Sequence, residues 1–391
     1  MKISIKKYLL YSSVFAIFTE SLFFNLIIDW KLLYLIIISN YLLLIRIKKL
    51  QLNLYFFLLL IAIFVHALLA NTIIGIPYNL MLSQLIGISI LGTYYYNFIP
   101  IYKPSEIISV YLKMSLYAAI LGYLMYFLNI NLNDGRLQSI FKEPAHYVVV
   151  VLPACYYYLK EKQYWPFIII FGTLMLSNSS LGYIGCALMF IVPNISLKRV
   201  MYLTASIPLV VVSMYYAYQE LPFFKMRVEE TYESLNVINT GKFDSQTNLS
   251  SYALISNLNV AKKNIEDHPF GTGIGSHVYM HNNVYYSGIR PPEYIRIQKK
   301  HLINSSDANS LFTRMVSEMG IFGFVLIVVL LGYASKAFSK DQMAMAQGIF
   351  IYFLLKLFRE GHYFPPELFF FIWMFYYSYK EHFFKNNRIS Q

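Results

Sequence analysis

Four groups of polar residues interrupt an otherwise apolar sequence, and each carries side chains that can bind an anion or move a proton. The first runs from Asp134 to Pro144 and joins Arg136 to Glu143. An arginine and a glutamate at the mouth of a membrane segment can hold a phosphorylated head group and take up a proton. The same stretch also reads as a solvated loop with Pro144 in the first turn of a helix, where its missing N–H costs nothing. The second group is Asp307, Arg314 and Glu318. Their spacing sets all three on one helical face, with Arg314 and Glu318 an i,i+4 pair that serves as a site or as a self-satisfied ion pair. Third is Arg359-Glu360-Gly361-His362-Tyr363, which crowds reactive side chains just before the last apolar run, where a site or an interfacial anchor would suit. The fourth is His268, Gly271-Thr272-Gly273-Ile274-Gly275, His277, His281, Arg290, Arg296 and His301. Its glycines can form either an anion-binding backbone nest or a plain turn. Its histidines fit no zinc spacing, although one can act as a base near neutral pH. No G-x-S-x-G, H-E-x-x-H or P-loop sequence is present.

The elements that must position these groups are membrane helices. Of 391 residues, 57% are hydrophobic and 13% charged, with mean hydropathy +0.49. A soluble domain carries about 25% charged residues. Apolar runs long enough to cross about 30 Å of hydrocarbon recur along the chain. Window hydropathy places spans at 8–28, 31–45, 54–72, 78–98, 107–128, 145–159, 166–178, 180–193, 200–218, 309–333, 342–358 and 367–379. The run from Tyr8 to Ile28 is too long for a signal-peptide core and lacks a small-residue cleavage site, so it reads as the first span. Ser177-Asn178-Ser179-Ser180 is a polar break that splits the stretch from Phe167 to Val192 into two short spans. The fold class expected is an all-α polytopic membrane protein, with about twelve helices and one large, partly helical periplasmic loop.

Charge supports that count. With an even number of spans the two termini share a side, and the short loops and tails of that side carry the whole net charge of +12. Positive short loops mark the cytoplasmic face, so both termini are expected there, in a bacterial inner membrane. The excess charge thus needs no nucleic acid; orientation and contact with anionic membrane lipid explain it. Cys155 and Cys186 both fall in apolar spans, which argues against a disulfide framework or a cysteine metal site.

The organisation is therefore 1–218 with nine spans, 219–308 as the large loop, and 309–391 with three spans and a cytoplasmic tail. The loop holds equal numbers of basic and acidic residues and is too long to be structureless, so it is expected to fold over the membrane. Within it, Leu254, Leu258, Ala261 and Ile265 make one stripe of an amphipathic helix over Ser250–Asp267, ended before Pro269.

In these residues the chain resembles the O-antigen polymerase family and, more distantly, the O-antigen ligases. The resemblance is carried by Arg136 to Pro144, by Leu176-Ser177-Asn178-Ser179-Ser180-Leu181-Gly182 and by His268-Pro269-Phe270-Gly271-Thr272-Gly273-Ile274-Gly275. It continues through Asp307-Ala308-Asn309-Ser310-Leu311-Phe312 into Ser317-Glu318-Met319-Gly320-Ile321-Phe322-Gly323. Ligase-like members carry His-Asn where this chain has Ala308-Asn309, and many relatives have Ser-Arg where it has Ser179-Ser180. Both departures favour a polymerase.

The resemblance implies a metal-independent membrane glycosyltransferase with no cofactor. It would move a glycan from one undecaprenyl-diphosphate carrier to the sugar end of another lipid-linked repeat unit, with a chain-length regulator as a further partner. Such a displacement at an anomeric carbon calls for a base for the acceptor hydroxyl and cations for the leaving diphosphate. Glu143, His301 and His362 are the candidate catalytic bases. Arg136, Arg290, Arg314 and Arg359 are the candidate cations, with Asp307 and Glu318 beside them on the substrate side. A ligase, another surface-glycan polymerase and a lipid-linked oligosaccharide transporter are the alternatives. A transporter usually shows repeated halves and broken helices near the midplane, where this chain has one asymmetric loop.

Overall fold

The computed structural model describes residues 4–25, 29–130, 135–194, 215, 218–220, 229, 237–238, 240–245, 247–339 and 343–389. Most of the ninth predicted span, 200–218, and most of 219–236 lie outside the described residues, as does Asp134. The helices are α1 (Ile5–Ala16), α2 (Leu32–Ile47), α3 (Leu54–Ile74), α4 (Tyr78–Phe98), α5 (Pro104–Phe127), α6 (Pro144–Lys160), α7 (Tyr164–Leu176) and α8 (Ser180–Ile191). They continue with α9 (Leu249–Asp267), α10 (Leu311–Ala334), α11 (Ala344–Phe358) and α12 (Pro366–Ile389). Apart from the first and the ninth, every predicted span coincides with a helix to within a few residues, the last running on to Ile389. Among the described residues, three helices are long and apolar enough to cross a membrane: Leu54–Ile74, Pro104–Phe127 and Leu311–Ser339. Shorter apolar helices are Leu32–Ile47, Tyr164–Leu176, Ser180–Ile191 and Ala344–Phe358.

The surface has the polarity of a protein in lipid. On α3, Ile61, Val65, Leu69 and Ile73 are exposed, and on α10 so are Ile321, Val325, Val328 and Val329. Helices satisfy their own backbone groups, so such faces need no water. The interior is stitched by side chains that would be expensive to leave unpaired in hydrocarbon. Trp373 donates to the Gly92 carbonyl, joining α12 to α4, and Tyr156 donates to Gln347, joining α6 to α11. Gly348 lets α11 lie directly on α6, because a Cβ there would come within 2.9 Å of the Pro153 carbonyl oxygen.

The first predicted span is corrected. Helix α1 stops at Ala16, and the chain closes tight turns there, with Phe18 N–H donating to the Phe15 carbonyl and Thr19 N–H to that of Ala16. A short antiparallel hairpin follows, β1 (Phe23–Asn25) paired with β2 (Asp29–Lys31), before α2 begins. The apolar run is long enough for one helix, but Glu20 has an ionic partner on α6, described below, that a continuous helix would not meet.

The 177–180 break behaves as the polar residues suggest. Ser177 Oγ donates to the Leu174 carbonyl, Ser179 N–H donates to Ser177 Oγ, and Asn178 takes a left-handed backbone, φ 44°. At 13 and 12 residues, α7 and α8 are each only about 20 Å long.

Beyond α8, the cap over the helices is organised by α9, which starts on an Asn248 side-chain cap and runs one residue beyond the predicted 250. The cap has its own small core of Tyr252, Val260, Met280, Tyr285, Ile289 and Ile295, which also takes in Ile76 from the α3–α4 turn.

Candidate functional site

The glycine-rich loop and the break in α10 are one unit. Gly320 has φ 56°, a left-handed conformation that interrupts α10 and releases backbone groups. Those groups pair with the loop: Gly273 N–H donates to the Glu318 carbonyl, and Ile321 N–H to that of Pro269. A Cβ on Gly271 or Gly320 would collide with the facing backbone, so both glycines are demanded by the contact. The nest that the glycines suggested is filled from within. Gly275 N–H donates to Glu318 Oε2 at 2.8 Å and His277 N–H to Oε1 at 3.2 Å. His277 is itself buried between Ser317 Oγ at 2.9 Å and Asn257 Oδ1 at 3.0 Å, and burial pushes its imidazole well below the usual histidine range.

Glu318 is also ion-paired with Arg314, Nε to Oε1 at 3.1 Å, both groups buried. The rest of that guanidinium donates to the Gly361 carbonyl at 2.9 Å and lies 4.4 Å from the Tyr363 ring centre. Gly361 packs so tightly on Asp307 that a Cβ would sit 1.6 Å from its carbonyl oxygen, and Glu360 N–H donates to the Asn309 carbonyl. Segment 359–363 is thereby docked on the start of α10. Glu360 holds a left-handed backbone, φ 64°, there.

This docking completes a cavity of about 240 Å³ between the end of α1, the start of α2, the start of α6 and the α11–α12 turn. Among its lining residues are Glu20, His146, Lys356, Glu360, His362 and Glu367. Lys356, in the last turn of α11, donates to Glu360 Oε2 at 2.6 Å and Glu367 Oε1 at 3.1 Å. His146, in the first turn of α6, has Nδ1 at 2.6 Å from Glu20 Oε2 and Nε2 at 3.3 Å from Glu360 Oε1. A buried ammonium persists only when paired, and here two carboxylates share it. Glu360 Oε1 is buried and makes no hydrogen bond. The cavity therefore offers a hydroxyl-bearing ligand a fixed carboxylate oxygen, with Tyr34 and Phe364 as aromatic walls.

Of the residues singled out from sequence, His362 lines this cavity, its Nε2 standing 3.6 Å from Asp307 Oδ2. Burial raises the Asp307 carboxyl. Arg314 and Glu318 are adjacent but committed to each other and to the loop. Arg359 lies in the same docked segment, its N–H donating to the Leu355 carbonyl. Glu143 is the exposed N-cap residue of α6, three residues before His146. Arg136 grips the α7–α8 turn, donating to the carbonyls of Ser177 at 3.3 Å and Asn178 at 3.0 Å. The remaining two belong to the cap. Arg290 is exposed, its backbone bridged to Lys242, and the His301 ring packs 5.4 Å from that of Tyr286.

Glu20, His146, Lys356 and Glu367 escaped the sequence reading. The signal was available, since an ionisable residue within or beside an apolar run is expensive and marks function by default.

Residues 165–328 match the O-antigen ligase family model. No curated protein matches the chain. The matched stretch contains nearly all of α7, the polar break, the cap and α10 through its Gly320 kink, which carry the sequence resemblance apart from Arg136 to Pro144. It supports the O-antigen ligase/polymerase superfamily and points to a membrane glycosyltransferase-like enzyme of surface-glycan processing. Glu20, His146, Lys356 and Glu360 lie outside it. Among the described residues no group of three or more His, Cys, Asp or Glu could hold a metal ion.

Proposed function

We propose that this chain joins undecaprenyl-diphosphate-linked oligosaccharide repeat units into a surface polysaccharide of the O-antigen type. The observation that carries the reading is the family match over 165–328, whose α10 start and kinked loop adjoin a cavity lined by carboxylates and cations. In this reading the acceptor sugar hydroxyl attacks the anomeric carbon of the donor glycan, and the diphosphate carrier leaves. A base must take the hydroxyl proton, and cations must meet the charge that grows on the diphosphate. Of the bases nominated from sequence, His362 lines the cavity, and Arg359, next to Glu360 in the chain, is the candidate for the second task. The chain then crosses an inner membrane twelve times with both termini cytoplasmic, and the cap faces the periplasm, where the lipid-linked units are used. Membrane lipid and a chain-length regulator are its expected partners.

A ligase is the second reading, favoured by the description of the matched family. Deleting the gene and running the lipopolysaccharide on a gel distinguishes them. A polymerase deletion leaves single-repeat product attached to the core, whereas a ligase deletion leaves no attached glycan. An unchanged ladder would sink both.

A further inference from the structure

We propose that Glu360 is the catalytic base of the transfer and that the cavity it lines with Glu20, His146 and Lys356 receives the acceptor sugar; the inference rests on the glycan-transfer reading above.

Three independent observations converge on Glu360. Its Oε2 is fixed by the Lys356 ammonium at 2.6 Å, while Oε1, equally buried, faces His146 Nε2 at 3.3 Å without making a hydrogen bond. A buried carboxylate oxygen that makes no hydrogen bond is costly, so a fold keeps one only where something is gained. Its backbone sits at φ 64°, outside the range an L residue prefers, and is held there by the bond to Asn309 and the close packing of Gly361 on Asp307. Strain of this kind is stored where a side chain must be aimed. Finally, the cavity beside Oε1 has room for about eight waters by liquid volume, so a sugar ring edge can enter.

The other residues of the cluster have positioning roles. Lys356 bridges Glu360 to Glu367 across the α11–α12 turn and fixes the carboxylate plane. His146 spans Glu20 and Glu360, tying the end of α1 to the turn and closing the cavity on the α6 side. His362, on the opposite lip, is paired with Asp307 and half-exposed.

In the step itself, the acceptor hydroxyl hydrogen-bonds to Oε1 and its oxygen attacks the donor anomeric carbon. A new C–O glycosidic bond forms as the bond from that carbon to the diphosphate oxygen breaks. The electron pair leaves with the diphosphate, the proton passes to Glu360 Oε1, and water later removes it. A single displacement inverts the anomeric carbon.

The test uses membranes from a strain that accumulates its own lipid-linked repeat unit, with polymer formation followed over time and divided by the amount of this protein present. Glu360→Gln keeps the side-chain size and loses the basic oxygen; its rate should fall about a hundredfold at equal protein. Glu360→Asp keeps the charge against Lys356 but withdraws the oxygen by one methylene, and a fall of at least about tenfold is expected. If Glu360→Gln does not accumulate, Glu360→Asp decides. A rate per molecule within threefold of the parent in either variant overturns the assignment. The unsubstituted protein is run alongside: if it forms no polymer from the same membranes, the polymerisation reading fails whatever the variants do.

Discussion

The arginines of this chain show how sequence alone leaves a charged residue's work open. Arg314 is two per cent exposed and fully occupied by Glu318, the Gly361 carbonyl and the face of Tyr363, so it ties α10 to the α11–α12 turn. Arg136 is spent on two carbonyls of the α7–α8 turn. Arg359 directly precedes the cavity-lining Glu360, and the acids nearest it in sequence, Glu360 and Glu367, are taken by Lys356. A guanidinium in that position suits a diphosphate, which it can grip with two parallel bonds. Arg359→Ala should therefore abolish polymer with the amount of membrane protein unchanged. Arg359→Lys, which keeps the charge and loses the planar fork, should leave a partial defect. Polymer and protein abundance measured together check this, and full activity per molecule in Arg359→Ala would remove the residue from the site.

Among the elements, the kinked α10 and the 269–277 loop depend on each other most closely. The kink frees the Glu318 carbonyl and the Ile321 N–H from the helix, and the loop satisfies both. The loop in turn wraps Glu318 and seats His277 and His281, whose imidazoles burial holds below the usual histidine range. The sign of the pH effect follows. In the folded protein these rings stay neutral, whereas in the unfolded chain they take up protons below about pH 6.5. The unfolded state then binds more protons, so stability is lost as the pH falls below that value. Thermal unfolding of the detergent-solubilised protein should have a lower midpoint at about pH 5.5 than at about pH 7.5. His277→Gln, which retains hydrogen-bonding groups but does not titrate, should flatten that difference. An equal slope in the variant would show that other groups set it.

For the whole molecule, orientation is the statement on which every site assignment depends. The arrangement of apolar helices with exposed apolar faces fits a membrane protein, and the proposed orientation rests on the positive short loops of the sequence. Reporter fusions at Lys48, Lys162 and Lys385 should report the cytoplasm, and one at Asn248, the cap of α9, the periplasm. A cytoplasmic result at Asn248 would turn the cavity and the cap to the wrong face for lipid-linked repeat units.

Much of the helical framework was legible because hydropathy and periodicity are local. The apolar runs beginning at Leu54, Tyr78 and Ala344, the stripe on α9 and the polar break at Ser177–Ser180 each announce an element from neighbouring residues. The Arg314–Glu318 pair was legible for the same reason, being one helical turn apart. What the sequence could not determine is which distant charges would meet. Glu20 and His146 are 126 positions apart, and the pair becomes possible only because α1 ends early and turns toward α6. Lys356 in an apolar run announces that a counter-ion is needed, but not that the turn after it would supply Glu360 while the next helix supplies Glu367. Ionic partners are chosen by packing: a charge in a low-dielectric interior takes whichever opposite charge the assembled helices bring within reach. Tertiary structure alone decided that Glu360 would have one oxygen held by Lys356 and the other facing His146 beside a cavity.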